Sequence, residues 1–225
     1  MKKVYLDYGA TTPVHPNVVE AMLPFFTEHF GNASAIHDFG IRARAAVEEA
    51  RSRAARFLGA GEDSIVFTGS GTESNNLAIL GYIMNVLPRR PHIITSAIEH
   101  ASVITTCRFL ESNGAEVTYL PVDARGLVSP EHFERAIRTA TALISIHYAN
   151  NEIGAIQPVR EIAAIAERHG VVFHTDAVQA FGKLPLNATD ENITLLSASA
   201  HKIYGPKGVG LLCIDRRTLS ERLQR

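Results

Sequence analysis

The sequence has 225 residues, 46% of them hydrophobic and 20% charged, which is typical of a folded globular protein of one domain or slightly more. A formal net charge of −1 gives no basic surface of the kind that attracts nucleic acids or anionic membranes. Because it has neither an apolar run of about 18 residues nor a signal-peptide pattern, we expect a cytoplasmic chain that binds neither membrane nor nucleic acid.

Helical and strand patterns alternate along the chain. Two helical patterns, at 17–30 and 41–58, come first. They are followed by strand patterns at 65–68, 92–96, 116–120, 142–146, 171–174 and 209–214, and by helical patterns at 73–86, 100–112, 130–138 and 159–169. A polar helical pattern, DRRTLSERLQR, occupies 215–225. This alternation predicts an α/β domain with a mostly parallel sheet flanked by helices.

The two cysteines lie inside predicted elements of this pattern. Cys107 falls within a helix and Cys213 within a strand. These positions favour small core side chains over a disulfide or a metal cluster, so we expect no bound metal.

Polar motifs follow the predicted strands. In a parallel sheet the carboxyl ends of the strands share one edge, and ligands bind outside that edge. The motifs expected there are GSGTES (69–74), AIEH (97–100), HYANNEIG (147–154), TDAVQ (175–179) and SAHK (199–202).

Each motif alone also has an ordinary structural explanation. GSGTES opens a helix and is either a glycine turn or a cradle for a phosphate or carboxylate group. Asp176 either caps a helix or faces a protonated ring nitrogen, and His100 is either a partly buried histidine or a side chain stacked on a ring. Asn150-Asn151-Glu152 is compatible with a simple turn, and Lys202 with a basic loop.

Together, these motifs favour pyridoxal 5′-phosphate over other cofactors. A lysine forms a Schiff base with this cofactor, an aspartate keeps its pyridine nitrogen protonated, and a helix start binds its phosphate. Lys202, Asp176 and the GSGTES segment supply these three groups. The small residues at 197–200 are then expected to leave room for the cofactor, and Gln179 to donate to an oxygen near its ring.

The sequence closely resembles cysteine desulfurases of the class V aminotransferase group, which share the fold-type-I pyridoxal-phosphate architecture. The matching segments run nearly end to end: YLDYGATTP (5–13), GNASAIHDFG (31–40), GSGTESNNLAI (69–79), ITSAIEHASV (94–103), NNEIGAIQPV (150–159), HTDAVQAFGKLP (174–185) and SAHKIYGPKGVG (199–210). The resemblance implies a three-layer, cofactor-binding large domain at 16–225, with an N-terminal segment at 1–15 contributing to the active site. We expect the small C-terminal domain of that architecture to be absent from these residues.

The same resemblance implies roles for individual residues. Lys202 is the implied Schiff-base lysine, and His100 stacks on the ring and is an acid/base candidate. Asp176 lies against the pyridine nitrogen, Gln179 near the ring hydroxyl and Asn151 at the edge of the cofactor or substrate. The residues implied around the cofactor phosphate are Gly71, Thr72, Ser199 and His201.

The implied reaction converts L-cysteine to L-alanine and leaves a persulfide on the enzyme, a homodimer. Acceptor or scaffold proteins then take the sulfur for iron–sulfur cluster or thio-cofactor assembly. The persulfide cysteine of the family lies in a segment that has no match here, so neither Cys107 nor Cys213 is expected to accept sulfur. Two alternatives stay open: another class V reaction, such as selenocysteine cleavage or transamination, and a catalytically silent dimerisation or interaction module.

Overall fold

The computed structural model describes residues 3–86 and 90–223, which form one sheet with helices on both faces. The strands are β1 (Ile65–Thr68), β2 (His92–Ser96), β3 (Glu116–Leu120), β4 (Thr141–Ser145), β5 (Val172–Asp176), β6 (Leu195–Ser199) and β7 (Gly210–Ile214). The helices are α1 (Pro16–Met22), α2 (Pro24–Thr27), α3 (Asp38–Leu58), α4 (Gly71–Val86), α5 (Ala101–Ser112), α6 (Pro130–Ala136), α7 (Val159–Arg168) and α8 (Arg216–Leu223). Residues 1–2, 87–89 and 224–225 of the expected domains, and thus the end of the helical pattern at 215–225, lie outside the described residues.

The strands lie in the order β1-β7-β6-β5-β4-β2-β3. Pairing is parallel from β6 through β5, β4 and β2 to β3, whereas β7 is antiparallel to both β1 and β6. The predicted mostly parallel α/β sheet is therefore confirmed. Every strand except β7 ends at the same edge of the sheet, where their following loops meet.

Alternate residues of the central strands pack on opposite faces of the sheet, because successive side chains of a strand point to opposite sides. Ile93 and Leu143 join a buried cluster with residues of α4 and α5. Their neighbours Ile94 and Ile144 join a second cluster with residues of α3, α6 and α7. The result is the expected three-layer arrangement. Among the described residues, no helix is long and apolar enough to cross a membrane.

Two elements differ from the sequence prediction. The pattern at 17–30 is two short helices, since the chain breaks at Leu23, before Pro24, whose nitrogen has no proton for the helical ladder. Strand β6 was missed because LLSAS has small polar residues where a buried strand usually has branched apolar ones. Its five residues are all buried. Ser197 and Ala198 therefore pack inside the sheet, and of the small residues at 197–200 only Ser199 lines the active-site cavity.

His174 explains how serine is accommodated inside the sheet. Its Nδ1 lies 2.8 Å from Ser145 Oγ on β4 and its Nε2 lies 3.0 Å from Ser197 Oγ on β6. The ring is fully buried, and burial lowers its pKa to about 3. A neutral imidazole thus bridges three strands and satisfies both buried hydroxyls.

We expect His174 to make the fold acid-sensitive. Its pKa is depressed on folding, so below its ordinary value near 6.5 the unfolded chain binds a proton that the folded chain does not. Between about pH 7.5 and about pH 5, this linkage removes about 2 kcal/mol from the free energy of unfolding. Urea unfolding of the parent chain and of His174→Gln at both pH values measures it. An equal pH dependence in the two proteins would contradict the assignment.

Candidate active site

A cavity of about 440 Å³ lies at the edge where β4, β5 and β6 end. This volume is within the range of small-molecule and cofactor sites. The nine candidate residues named from the sequence all line it: Gly71, Thr72, His100, Asn151, Asp176, Gln179, Ser199, His201 and Lys202. The fold therefore brings together residues that are spread over more than half of the chain.

The GSGTES segment presents the start of α4, a helix of 16 residues, to the cavity. Ser70 Oγ accepts the N–H of Glu73 at 3.1 Å, and Glu73 Oε2 accepts the N–H of Gly69 at 2.7 Å. These two bonds fix the turn and leave the N–H groups of Gly71 and Thr72, which have no acceptor within the helix. The helix start thus offers donors and a positive dipole end to an anion.

Close packing at Gly71 forms one wall of the anion-binding end. A Cβ atom on Gly71 would lie 2.6 Å from Val178 Cγ2 and 3.4 Å from the Cβ of Ser199. The Ser199 hydroxyl is buried and makes no hydrogen bond with the described residues. A buried hydroxyl without a partner is costly, and a ligand oxygen in the cavity would satisfy it.

Asp176, the last residue of β5, lies in the interior with 7% of its surface exposed. Its Oδ1 accepts the N–H of Val178 at 3.0 Å, and its Oδ2 accepts from Asn75 Nδ2 at 2.7 Å. Burial raises the pKa of this carboxyl group, while the two hydrogen bonds act in the opposite direction. The group is thus a buried acceptor that a cationic ring nitrogen would neutralise.

His100 caps the N-terminus of α5. Its Nδ1 accepts the backbone N–H of Ser102 at 3.1 Å and lies 2.8 Å from Ser102 Oγ. Because Nδ1 is an acceptor in this arrangement, the ring proton of the neutral imidazole is on Nε2. The side chain lines the cavity, as the ring-stacking role requires.

Lys202 is held by the N-terminal segment. Its Nζ donates to the carbonyl oxygens of Gly9 and Ala10, at 2.5 and 2.7 Å. Burial lowers the pKa of this amine, although the charges of Asp176, Asp7 and Glu152 partly oppose the shift. A lowered pKa favours the neutral, nucleophilic form of a lysine.

The remaining candidate residues already have partners. Gln179 Nε2 donates to the carbonyl of Gly9 at 2.8 Å, and Asn151 Nδ2 donates to Glu152 Oε1 at 2.7 Å. His201 Nδ1 lies 3.1 Å from Thr11 Oγ1. Burial and the charges of Lys202 and Lys207 lower the pKa of the His201 ring.

Sequence reasoning missed a buried ion pair that includes a residue of the cavity wall. The ring of His147 lies 3.0 Å from Glu99 Oε1, and both side chains are almost fully buried. Burial lowers the pKa of His147, but the hydrogen bond and charge of Glu99, with the charge of Asp176, outweigh this effect and raise it. Because Glu99 also accepts from the backbone N–H of His147, this pair fastens the loop before His100 to the end of β4.

Other lining residues were also not singled out from the sequence. They include Asp7, Gly9, Ala10, Asn75, Ser102 and His147. One signal was available for Asn75, which lies four residues after Gly71 and hence on the same face of α4. His147 directly follows a predicted strand and begins the HYANNEIG motif expected at this edge, but the motif alone assigned it no role.

The aminotransferase class-V family profile matches residues 4–225. The chain belongs to the aminotransferase class-V family. It is 52% identical over 217 residues to the cysteine desulfurase IscS of Dictyoglomus turgidum, covering 96% of this chain and 55% of that relative. It is 54% identical over 215 residues to IscS of Methanosarcina thermophila, covering 96% of this chain and 53% of the relative. The chain thus spans about half the length of the curated relatives it matches.

Solved structures of class-V relatives have the same fold. A structure described as SspA in complex with cysteine has a TM-score of 0.93 and 48% identity, over 94% of this chain and 61% of the other. A NifS-like protein has a TM-score of 0.93 and 40% identity, over 96% of this chain and 60% of the other. These similarities confirm the expected large-domain fold and the cysteine desulfurase relationship.

Cysteine desulfurases of this family are pyridoxal-phosphate enzymes, and the cavity residues fit that cofactor. The unpartnered Ser199 hydroxyl and the free N–H groups of α4 suit a phosphate. Buried Asp176 suits a protonated pyridine nitrogen, and Lys202 supplies an amine in the same cavity. The donor set therefore agrees with the cofactor expected from the sequence.

We expect Gly71→Ala to destabilise the fold at the start of α4, because its new methyl group overlaps Val178. Overpacking of this kind costs about 1–3 kcal/mol. Gly81→Ala is the matched control in the same helix, since a Cβ there meets only Leu77 Cδ1, at 3.8 Å. That change should stabilise by about 0.5–1 kcal/mol, as alanine is the better helix former. Thermal unfolding of both variants checks the prediction, which a stabilised Gly71→Ala would contradict.

We expect both cysteines to resist alkylation in the folded chain. Cys107 and Cys213 are buried, and burial, with nearby carboxylates, raises each thiol pKa to about 12. The thiolate is the reactive form, so iodoacetamide should label the folded chain at least about 100-fold more slowly than the urea-unfolded chain. Mass spectrometry over a time course measures both rates. Rapid labelling of either cysteine in the native state would contradict this prediction.

Proposed function

We propose that this chain is the cofactor-binding part of a pyridoxal-phosphate-dependent cysteine desulfurase that acts on L-cysteine. The observation that carries the proposal is the single cavity shared by Lys202, the buried Asp176 and the unpartnered Ser199 hydroxyl, in a chain about half identical to cysteine desulfurases. The relative described in complex with cysteine supports the choice of amino acid. The bound cofactor supplies an electron sink that makes bonds at the substrate Cα atom easier to break.

The chain's own residues divide the work around that cofactor. Gly71, Thr72, Ser199 and His201 hold its phosphate, with donors from the helix start and side chains. Asp176 holds the proton on the ring nitrogen, and Gln179 and Asn151 orient the ring and its substituents. All seven of these residues line the cavity, which supports the assignments.

Lys202 and His100 are the proposed catalytic residues. Lys202 would supply the amine that holds the cofactor, and in its neutral form the same amine would be the base for the Cα proton of the substrate. Its lowered pKa supports this role. His100 stacks on the ring and presents its Nε2 proton on the cavity side, because Nδ1 is occupied by the Ser102 N–H.

The sulfur acceptor is proposed to be a thiol outside the described residues, because Cys107 and Cys213 are both buried and protonated. The physiological setting we propose is a cytoplasmic homodimer that passes sulfur to acceptor or scaffold proteins of iron–sulfur cluster assembly. The apolar side chains of Leu6, Phe26 and Ile36 are 87%, 69% and 91% exposed, and their burial in a larger assembly would be favourable.

Covalent attachment of the cofactor at Lys202 is the decisive prediction. Pyridoxal phosphate added to the chain should give a visible absorption band, and borohydride reduction should fix the cofactor on the peptide that contains Lys202. Lys202→Ala should lose the band and bind the cofactor at least about 10-fold more weakly. Lys207→Ala is the matched control, because Lys207 is exposed, lies in the same loop and does not line the cavity.

The outcomes separate this function from its alternatives. A folded chain that dimerises but takes up no cofactor would contradict the proposal and indicate an interaction module. A chain that takes up the cofactor but releases alanine from selenocysteine and not from cysteine, in the presence of an added thiol, would indicate a selenocysteine lyase.

A further inference from the structure

A series of hydrogen-bonded polar side chains links Asp176 to His100 through α4. Asn75 is fully buried in the first turns of this helix. Its Nδ2 donates to Asp176 Oδ2 at 2.7 Å and to Ser102 Oγ at 2.9 Å. Ser102 Oγ in turn lies 2.8 Å from Nδ1 of His100. The side chain of Asn75 thus lies between the residue that faces the ring nitrogen and the residue that stacks on the ring.

The donor and the acceptor of each hydrogen bond in this series of side chains are defined. An ionised carboxylate only accepts, so the amide of Asn75 must present its NH₂ group to Asp176 and not its oxygen. The second proton of the same NH₂ group is directed to Ser102 Oγ. Because His100 Nδ1 already accepts a backbone N–H from Ser102, the Ser102 hydroxyl is the donor on its 2.8 Å contact with that nitrogen.

The arrangement has a cost that points to a role beyond packing. The Oδ1 atom of Asn75 is buried and has no partner among the described residues. A buried carbonyl oxygen without a donor costs about 1–3 kcal/mol. The alternative amide orientation would place this oxygen against the Asp176 carboxylate and leave the NH₂ group at the position without a partner. The observed orientation avoids the repulsive contact and leaves only one acceptor unpaired.

We propose that Asn75 is a positioning residue that holds Asp176 ionised and, through Ser102, fixes His100 with its ring proton on Nε2. The inference rests on the proposed function, in which both residues face the cofactor. It assigns a purpose to the second turn of α4, which sequence motifs for the phosphate site do not reach. Asn75 lines the cavity, and its proposed effect is exerted through its two neighbours.

The test measures Asp176 and His100 without cofactor. In the cofactor-free chain, ¹³C NMR follows the titration of Asp176, assigned with Asp176→Asn, and ¹⁵N NMR reports which ring nitrogen of His100 carries the proton. The charged and titratable groups that also act on Asp176 are Glu99, His100, His147 and Lys202. They are present in all the variants compared below, so differences between these variants report the hydrogen bonds.

We expect Asn75→Ala to raise the pKa of Asp176 by at least about one unit, a tenfold change in its acid dissociation constant. The same variant should alter the ¹⁵N signals of His100. Ser102→Ala removes only the hydroxyl that links Asn75 to His100. It should therefore alter the ¹⁵N signals of His100 and leave the pKa of Asp176 unchanged. Asn85→Ala is the matched control: Asn85 lies on the same helix and donates to the carbonyl of Gly81 within that helix. It should change neither signal.

Two results would overturn the inference. If Asn75→Ala folds and the pKa of Asp176 is unchanged, Asn75 does not hold Asp176 ionised. If the ¹⁵N signals of His100 are unchanged in that variant, Asn75 does not act on His100 through Ser102. Should alanine prevent folding, the isosteric Asn75→Asp keeps the volume and replaces the donor with an acceptor, so one of the two neighbouring carboxyl groups should stay protonated at neutral pH. The proposed function fails instead if the unaltered chain takes up no pyridoxal phosphate, a result independent of these titrations.

Discussion

A buried carboxylate at the end of β5 is the constraint on which the rest of the site depends. Asp176 is removed from water, and a buried carboxylate is costly unless donors stabilise its charge. One donor is local, but the other, Asn75, comes from α4, so the helix must begin close to the sheet. Gly71 permits this approach because any larger residue would overlap Val178. The same close approach turns the first N–H groups of α4 toward the cavity. One packing contact therefore positions both the donor to the Asp176 carboxylate and the N–H groups that suit an anion.

The lysine depends on a contact of a different kind, between residues far apart in the sequence. The carbonyl groups of Gly9 and Ala10 hold the amine of Lys202. Thr12 fastens the same N-terminal segment to the loop after β6 by donating to the carbonyl of His201 at 2.9 Å. Carbonyl dipoles orient an ammonium group without the full charge of a carboxylate, so the effect of burial on the pKa is not cancelled. The N-terminal segment therefore places the amine and preserves its reactivity.

The sequence predicts the residues at the carboxyl edge of the sheet better than it predicts the buried contacts that hold them in place. Asp176 and Lys202 were found because polar residues follow strands, and parallel strands deliver such residues to one edge. Strand β6 was not found, since its serines are stabilised by His174, a contact across the sheet that no local pattern contains. The contacts of Asn75 and Glu99 were not predictable for the same reason: their partners lie 101 and 48 residues away, and only the folded chain brings them together.

The chemistry of the two cysteines argues against either of them as the acceptor in the proposed sulfur transfer. An acceptor of sulfur must be a thiolate at the moment of attack, since the protonated thiol is a poor nucleophile. Burial keeps Cys107 and Cys213 protonated, and neither lines the cavity. The cavity, in contrast, concentrates the groups that we propose to bind and orient an amino-acid substrate and its cofactor. A thiol on a mobile segment outside this fold can enter such a cavity and leave it carrying the sulfur atom. A thiol fixed in the core of this fold could not carry sulfur to a second protein.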